Sequence, residues 1–204
     1  MEFISITKPI EKIEEVQDVI ILGGGPAGLT AGIYTGRNLW RTLIIEKGIL
    51  GGNAALTEKI DNYPGFPEGI TGEELVKRME TQAKKFGSKI LESDVLSLKI
   101  DGNWKIVETS QGTFRAPTLI IATGTRPRKL EVPGEEDFIG KGVSYCAVCD
   151  GAFFIGKKVA VIGGGDSAVE EAIYLTKFAE EVTIIHRRDT LRAEKITQQR
   201  AFSN

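Results

Sequence analysis

The sequence predicts an α/β protein built from two Rossmann-like, three-layer nucleotide-binding domains. Two glycine-rich turns, 23–28 and 163–168, each lie between a short apolar run typical of a buried strand and a run with helical spacing. The only two cysteines of the chain, Cys146 and Cys149, lie between these turns. Two nucleotide sites with a dithiol between them predict an electron relay.

Composition narrows the classes of partner. The 204 residues are 41% hydrophobic, and 26 basic residues nearly balance 28 acidic ones, so neither a nucleic acid nor an anionic membrane is indicated. No apolar run approaches the roughly 18 residues that a membrane helix needs. Residues 1–17 lack the basic start and apolar stretch of a signal peptide and predict a short leader. We therefore expect a cytoplasmic protein with a small-molecule or protein partner.

The first glycine turn has the order that dinucleotide binding requires. A strand at 18–22 precedes the turn, a helix at 29–38 follows it, and a strand at 42–45 ends in Glu46. In such a turn the first glycine permits the tight bend, the second lets a pyrophosphate approach the backbone, and the third lets helix and strand pack closely. The phosphates would lie at the helix N-terminus, and Glu46 could accept hydrogen bonds from ribose hydroxyls. The predicted contacts of the turn are Gly23, Gly25, Pro26, Ala27 and Gly28.

The middle of the chain predicts further elements of the same domain. Residues 48–67 have no periodicity and carry several glycines and prolines, which is typical of a segment that lines a ligand site. Thr71 and Glu74 form a capping box for a helix at 71–86, which Gly87 ends. Strands at 95–100 and 104–109 form a hairpin, and a further strand covers 118–122. The proline-bearing stretch 125–136 is interpreted as a connection between domains.

A second unit of strand, glycine turn, helix and strand follows, and the residues after its last strand are basic instead of acidic. A strand at 158–162, a glycine turn, a helix at 169–178 and a strand at 182–185 repeat the first unit, and His186 occupies the position that Glu46 holds there. An acid at this position suits a free ribose 2′-hydroxyl, whereas arginine accommodates a 2′-phosphate. The second site therefore predicts NADP(H), although a solvated strand end is the alternative interpretation of its charges. Its predicted contacts are Gly163, Gly165, Asp166, Ser167, Ala168, His186, Arg187, Arg188 and Arg192.

The dithiol favours redox chemistry over a metal site. A Cys-x-x-Cys pair can close into a small, reversible disulfide. Structural zinc needs about four ligands, whereas this chain offers two cysteines and one distant histidine, so we predict no metal site. Two inert core cysteines are the other alternative. Asp150, next to the pair, could equally cap a helix.

Four motifs of the chain are Gly-Gly-Gly-Pro-Ala-Gly (23–28), Cys-Ala-Val-Cys-Asp-Gly (146–151), Gly-Gly-Gly-Asp-Ser-Ala (163–168) and His-Arg-Arg-Asp-x-x-Arg-Ala-Glu-Lys (186–195). In this combination they resemble the motifs of the low-molecular-weight thioredoxin reductases. The resemblance implies an FAD-binding domain at 18–126, into which an NADPH-binding domain at 127–204 is inserted. It implies electron flow from NADPH through FAD to the dithiol and then to thioredoxin, with a homodimer as the assembly. It also assigns further flavin contacts to Gly51, Gly52, Asn53, Asn62, Ala122, Thr123 and Gly124. For Asn53 and Asn62, ordinary turn chemistry is the alternative interpretation.

The same resemblance implies a role for each residue of the dithiol motif. Cys149 would lie nearest the flavin, Cys146 would attack the protein substrate through a mixed disulfide, and Asp150 would exchange the accompanying proton. The NADPH domain would rotate relative to the FAD domain, with one hinge in 125–136.

The chain departs from the family in two ways. Asn53 stands where the family usually has glutamine. The sequence ends at Asn204, whereas the family continues with the rest of the NADPH domain and a last segment of the FAD domain. We therefore expect both domains to be incomplete on their C-terminal side. One alternative is a related flavoprotein that reduces another disulfide partner. A second is a flavoprotein that takes electrons from ferredoxin, which the basic cluster disfavours. A third is a non-catalytic nucleotide-binding fragment.

Overall fold

The structure is a computed structural model that describes residues 14–204. The chain divides into two compact units after Thr125, and each unit is described here by itself. Most of the predicted leader lies outside the described residues. Its last residues, Glu14–Val16, form strand β1, which pairs in parallel with a later strand of the first unit.

The first unit is built on a parallel sheet of four strands. The strands are β2 (Val19–Leu22), β3 (Thr42–Glu46), β4 (Lys89–Glu92) and β8 (Thr118–Ile121). Their order in the sheet is β4-β3-β2-β8; Ile21 lies opposite both Ile44 and Ile120, and all neighbouring strands run parallel. The predicted strands at 18–22, 42–45 and 118–122 are confirmed to within one residue at each end, whereas the sequence analysis did not predict β4.

Two helices cover one face of this sheet. Helix α1 (Pro26–Arg37) begins at the glycine turn, three residues earlier than predicted, because Pro26 suits the first turn of a helix. Helix α2 (Gly72–Lys85) begins after Thr71, whose hydroxyl accepts the N–H of Glu74 at 3.2 Å, as the capping box predicted. None of the helices in residues 14–204 is long and apolar enough to cross a membrane.

A second sheet covers the other face. Strands β5 (Val95–Asp101) and β6 (Trp104–Thr109) form the predicted hairpin, and β7 (Gly112–Ala116) extends it to the order β1-β7-β6-β5. Strand β7 was not predicted, since its sequence Gly-Thr-Phe-Arg-Ala carries only one large apolar residue.

The alternating side chains of β2 explain why its sequence is apolar at every position. Val19 and Ile21 pack with α1 and α2, whereas Ile20 and Leu22 pack against the second sheet through Val107 and Phe114. All four β2 side chains are buried. The first unit therefore has helix, sheet and sheet layers with the parallel sheet in the middle, and the predicted α/β class is confirmed.

An ion pair joins the start of β2 to the start of β3. The Arg41 guanidinium hydrogen-bonds both carboxylate oxygens of Asp18, and these bonds lower the pKa of Asp18 to about 2. The pair stabilises the fold fully above the ordinary aspartate pKa of about 4, and this contribution is lost as the pH falls toward 2. We expect Asp18→Asn to lower the Tm at pH 7 by no more than about 4 °C, because the pair is exposed. Thermal melts at pH 7 and pH 2 check this, and an equal difference at both pH values would contradict it.

The second unit contains a short helix at the dithiol followed by a β-α-β unit. The β-α-β unit comprises β9 (Lys158–Ile162), α4 (Asp166–Leu175) and β10 (Glu181–Ile185), with β9 and β10 paired in parallel. Alternate side chains of both strands are exposed, among them Ile162 and Ile185. The remaining elements are α3 (Ala147–Asp150), a 3-10 turn (Gly151–Phe154) and α5 (Lys195–Phe202).

Candidate nucleotide and dithiol sites

The first glycine turn is built so that side chains are excluded at two of its glycines. Gly23 has φ +104°, and a Cβ there would lie 2.2 Å from the carbonyl oxygen of Ala122. A Cβ on Gly28 would lie 1.9 Å from the carbonyl oxygen of Gly23. These two glycines therefore serve the turn and the close approach of α1 to β2, as predicted.

Gly25 has a different role, because the space beside it is open. It is the N-cap of α1 with φ −71°, and a Cβ there would meet only the carbonyl oxygen of Gly51, at 3.9 Å. Pro26 and Ala27 form the first helical turn. The N-terminus of a twelve-residue helix thus lies beside an open backbone, which suits a bound phosphate group.

Glu46 closes the turn from the end of β3. Its Oε2 accepts the N–H of Gly24 at 2.7 Å, and its Oε1 accepts the N–H of Gly48 at 2.9 Å. Each carboxylate oxygen can accept more than one hydrogen bond, so both keep capacity for ribose hydroxyls. The predicted acid is therefore attached to the turn that it was predicted to serve.

Three further predicted contacts border the same turn. The N–H of Gly51 donates to the carbonyl of Gly24 at 2.9 Å, which brings the 51–54 segment to the turn. The Asn53 amide donates to the Thr125 hydroxyl at 3.3 Å, next to Gly124. The N–H of Ala122 donates to the carbonyl of Leu22 at 2.8 Å, at the end of the sheet.

The other predicted flavin contacts are less enclosed. A Cβ on Gly52 or Gly124 would meet no atom within 4 Å. Thr123 is exposed, and Asn62 is exposed in the loop between the bridged residues Ile60 and Ile70.

The second glycine turn repeats the backbone of the first. The N–H of Gly163 donates to the carbonyl of Ile185 at 2.9 Å, just as the N–H of Gly23 donates to Ile45 at 2.8 Å. Gly165 is the N-cap of α4, and a Cβ there would meet no atom within 4 Å. The second turn therefore offers the same open backbone at a helix N-terminus, where Asp166 and Ser167 begin α4 and Ala168 approaches Gly163.

The basic cluster is gathered at this second turn. The His186 ring lies against Gly164, where a Cβ would meet ring atoms at 2.6 Å, so His186 takes the place that Glu46 takes beside Gly24. The N–H of Arg192 donates to the carbonyl of Gly164 at 2.6 Å, which brings that residue to the turn as well. Arg187, Arg188 and Arg192 are exposed. Backbone bonds thus hold the segments that carry the cluster beside the glycines.

Both turns fit the groups that the sequence predicts for them. The Gly25 and Gly165 positions are open cradles that a side chain would fill, each at a helix N-terminus. The first cradle ends in a carboxylate, and the second has arginines beside it. In the second, His186 Nε2 is buried without a hydrogen-bond partner in the described residues, and a bound polar group is one way to satisfy it.

The dithiol lies at the start of α3. Cys146 and Cys149 form a disulfide with a Cα–Cα distance of 5.3 Å. Cys146 is the N-cap of α3, and its Sγ accepts the N–H of Cys149 at 3.2 Å. Cys149 is exposed and Cys146 is half-buried. The pair is therefore accessible, unlike two inert core cysteines.

Ser144 connects the dithiol to Asp150. Its hydroxyl accepts the N–H of Cys146 at 3.1 Å and lies 2.6 Å from Asp150 Oδ2, to which it can donate. Asp150 is therefore held by a side chain that also contacts the backbone of the dithiol. The sequence analysis missed Ser144, because a serine two residues before a cysteine N-cap is only a weak turn signal.

Two other carboxyl groups near the dithiol were also missed. The Tyr145 hydroxyl donates to Glu135 at 2.6 Å, and this bond raises the pKa of Tyr145 to about 12. Glu171 is half-buried on α4; burial raises the pKa of its carboxyl, and the Ala147 N–H partly opposes the rise. No local sequence pattern marks either residue.

Within residues 14–204, no group of three or more histidine, cysteine, aspartate or glutamate side chains is placed to hold a metal ion.

Comparison with known proteins decides the family. The profile of the family described as pyridine nucleotide-disulphide oxidoreductase matches residues 17–202. The chain belongs to this family. The chain is 55% identical over 192 residues to the thioredoxin reductase of Bacillus subtilis. The aligned region covers 94% of this chain and 60% of that protein.

Solved structures of family members agree. The thioredoxin reductase of Lactococcus lactis, in its FR conformation, superposes with a TM-score of 0.89 at 50% identity, covering 92% of this chain and 62% of that one. The enzyme of T. acidophilum superposes with a TM-score of 0.87 at 37% identity, covering 93% and 62%. The predicted resemblance and the Rossmann-like fold are thus confirmed, and the chain spans about 60% of the length of these relatives.

Proposed function

We propose that this chain carries the nucleotide sites and the redox centre of an NADPH-dependent thioredoxin-disulfide reductase. The observation that carries the proposal is the Cys146–Cys149 disulfide, which lies in the same unit as the glycine turn with the arginine cluster. A second turn of the same geometry, ending in Glu46, lies in the other unit. The named relatives are thioredoxin reductases, which supports thioredoxin or a thioredoxin-like disulfide as the substrate.

The residues divide between two cofactors. FAD would bind at the first turn through the backbone of Gly25, with Glu46 on the ribose, and at the 51–53 and 122–124 segments. NADPH would bind at Gly165, with the 2′-phosphate on Arg187, Arg188 and Arg192. When bound, the two cofactors supply the pair of electrons that reduces the disulfide.

The chain's own residues then complete the transfer. The Cys146 sulfur, which accepts the N–H of Cys149, is the thiolate that attacks the substrate disulfide and releases one substrate thiolate. Cys149 then attacks Cys146, which releases the second substrate thiol and re-forms the Cys146–Cys149 disulfide. Asp150, held by Ser144, exchanges the protons of these steps.

We propose the cytoplasm as the compartment, because a dithiol that must be reduced in each cycle requires a reducing environment.

A homodimer is the assembly that the resemblance implies, and size-exclusion chromatography with light scattering tests it.

An anaerobic NADPH titration of the 204-residue chain, supplied with FAD, tests the proposal. The expected result is retained flavin that loses its absorbance on reduction, followed by the appearance of two thiols per chain. If the flavin binds but the disulfide persists, disulfide reduction is excluded. If no flavin is retained, the alternative of a non-catalytic nucleotide-binding fragment is favoured.

The arginine cluster provides a sharper test of cofactor choice. We expect the double variant Arg187→Ala and Arg188→Ala to weaken NADPH binding by about 10- to 100-fold and to leave NADH binding nearly unchanged, because only NADPH carries the 2′-phosphate. Titration calorimetry with each nucleotide measures this. A variant with Lys141→Ala and Lys157→Ala removes the same charge outside the cluster and should keep the NADPH preference. An equal loss of both nucleotides in the arginine variant would contradict the assignment.

A further inference from the structure

Within the described part of the chain, the buried carboxylate of Glu135 accepts three hydrogen bonds, and the proposed chemistry gives it no role. Its Oε1 accepts the N–H of Leu130 at 2.7 Å and the hydroxyl of Tyr145 at 2.6 Å. Its Oε2 accepts the N–H of Glu131 at 2.6 Å. Only 8% of the Glu135 surface is exposed. Hydrogen bonds to a charged acceptor are short and strong, so this carboxylate fixes the positions of all three donors.

On one side, the Glu135 carboxylate holds a strained turn. Glu131 has φ +60°, a left-handed conformation that is costly for glutamate and persists only where neighbouring bonds fix it. The hydrogen bonds from the Leu130 and Glu131 N–H groups supply this restraint. The N–H of Glu135 also donates to the carbonyl of Val132 at 3.2 Å. The turn at 130–135 is therefore closed by both the side chain and the main chain of Glu135.

On the other side, the same carboxylate holds the residue that precedes the dithiol. The two neighbours of Tyr145 are both attached to α3: the Ser144 hydroxyl lies 2.6 Å from Asp150 Oδ2, and Cys146 is the N-cap. The Tyr145 hydroxyl is bonded to the 130–135 turn instead. The backbone that leads into the dithiol is thus held by α3 and by this turn together.

We propose that Glu135 is a positioning residue for the dithiol: through the Tyr145 hydroxyl it holds Cys146 where the Cys146–Cys149 disulfide closes. The inference rests on the proposed redox function. A thiol whose backbone is already fixed beside its partner loses less conformational freedom when the disulfide forms, so the effective concentration of the two thiols is higher. The Tyr145–Glu135 bond therefore stabilises the closed disulfide relative to the open dithiol.

The test needs neither flavin nor NADPH. The purified chain and its Tyr145→Phe variant are equilibrated at pH 7 with mixtures of reduced and oxidised glutathione. In this exchange the protein disulfide and two reduced glutathione molecules give two protein thiols and one oxidised glutathione. Alkylation and mass spectrometry count the thiols. We expect the equilibrium constant for opening the disulfide to rise about three- to tenfold, a part of the free energy of one hydrogen bond to a charged acceptor.

Two further variants separate positioning from a general loss of structure, and circular dichroism checks that each is folded. Tyr174→Phe removes a tyrosine hydroxyl from α4, in the same unit, and should leave the equilibrium constant within about twofold of the wild type. Glu135→Gln should weaken the attachment that Tyr145→Phe removes. The double variant should therefore shift the constant no further than the larger of the two single variants.

The outcomes distinguish this inference from the proposed function. An unchanged equilibrium constant in Tyr145→Phe would overturn the inference and leave the proposed function intact. Additive shifts in the double variant would also overturn it, since Tyr145 would then act without Glu135. If Glu135→Gln does not fold, the comparison of Tyr145→Phe with Tyr174→Phe decides alone. A wild-type disulfide that excess reduced glutathione cannot open would overturn both the inference and the proposed function.

Discussion

Replacing Cys149 with serine should abolish disulfide reduction completely and leave both nucleotide sites intact. The single remaining thiol, Cys146, cannot form the Cys146–Cys149 disulfide. The variant therefore has no disulfide that could accept electrons from NADPH, and no second thiol that could release a substrate bound to Cys146. Cys149 is exposed as the third residue of a four-residue helix, so the substitution should leave the fold undisturbed. Thioredoxin-dependent NADPH oxidation should fall to background, whereas calorimetric NADPH binding should match the wild type.

The Cys146→Ser variant is the matched control for the two sulfur roles. In Cys149→Ser, Cys146 keeps the N-cap position of α3 and should form a persistent mixed disulfide with an oxidised thioredoxin. In Cys146→Ser, this sulfur is lost and trapping should be at least about tenfold slower. Trapped complexes are counted on non-reducing gels. Faster trapping by Cys146→Ser would reverse the proposed roles of Cys146 and Cys149.

The sequence predicted the fold best where both faces of an element are buried. The β2 run Val-Ile-Ile-Leu has no polar residue, because its alternate side chains pack against helices on one side and a second sheet on the other. The strands that were missed carry weaker signals. Strand β4 exposes Lys89 and Glu92, and β7 has a single large apolar side chain, so neither contains an apolar run.

The candidate site was predictable where its residues follow a fixed local spacing. Each glycine motif lies within six residues, and the residue that contacts it stands at a fixed place after it: Glu46 ends β3, and His186 directly follows β10. Ser144, Glu135 and Glu171 escaped prediction for two different reasons. Ser144 belongs to a turn with a weak signal, Glu135 contacts the dithiol segment only through the Tyr145 hydroxyl, and Glu171 lies on α4, a separate element of the same unit.

In the first glycine turn, some glycines have no room for a side chain and others have open space beside them. A side chain at Gly28 should reduce the stability of the fold most. A Cβ there would lie 1.9 Å from the Gly23 carbonyl oxygen, 3.0 Å from its carbon and 3.4 Å from Ile21. The obstructing atoms belong to the backbone of the turn, so relief requires moving α1 away from β2. We expect Gly28→Ala to lower the free energy of unfolding by at least about 3 kcal/mol, measured by urea denaturation followed by circular dichroism.

Gly25→Ala is the counterpart that separates stability from ligand binding. Gly25 has φ −71°, which alanine adopts readily, and a Cβ there would meet only the Gly51 oxygen at 3.9 Å. Alanine is a poorer N-cap than glycine, so we expect a loss of no more than about 1 kcal/mol. The new methyl group would occupy the space proposed for the FAD pyrophosphate, so flavin binding should weaken although the chain stays folded. If Gly28→Ala proved no less stable than Gly25→Ala, the steric role of Gly28 would be wrong; normal FAD affinity in Gly25→Ala would place the pyrophosphate elsewhere.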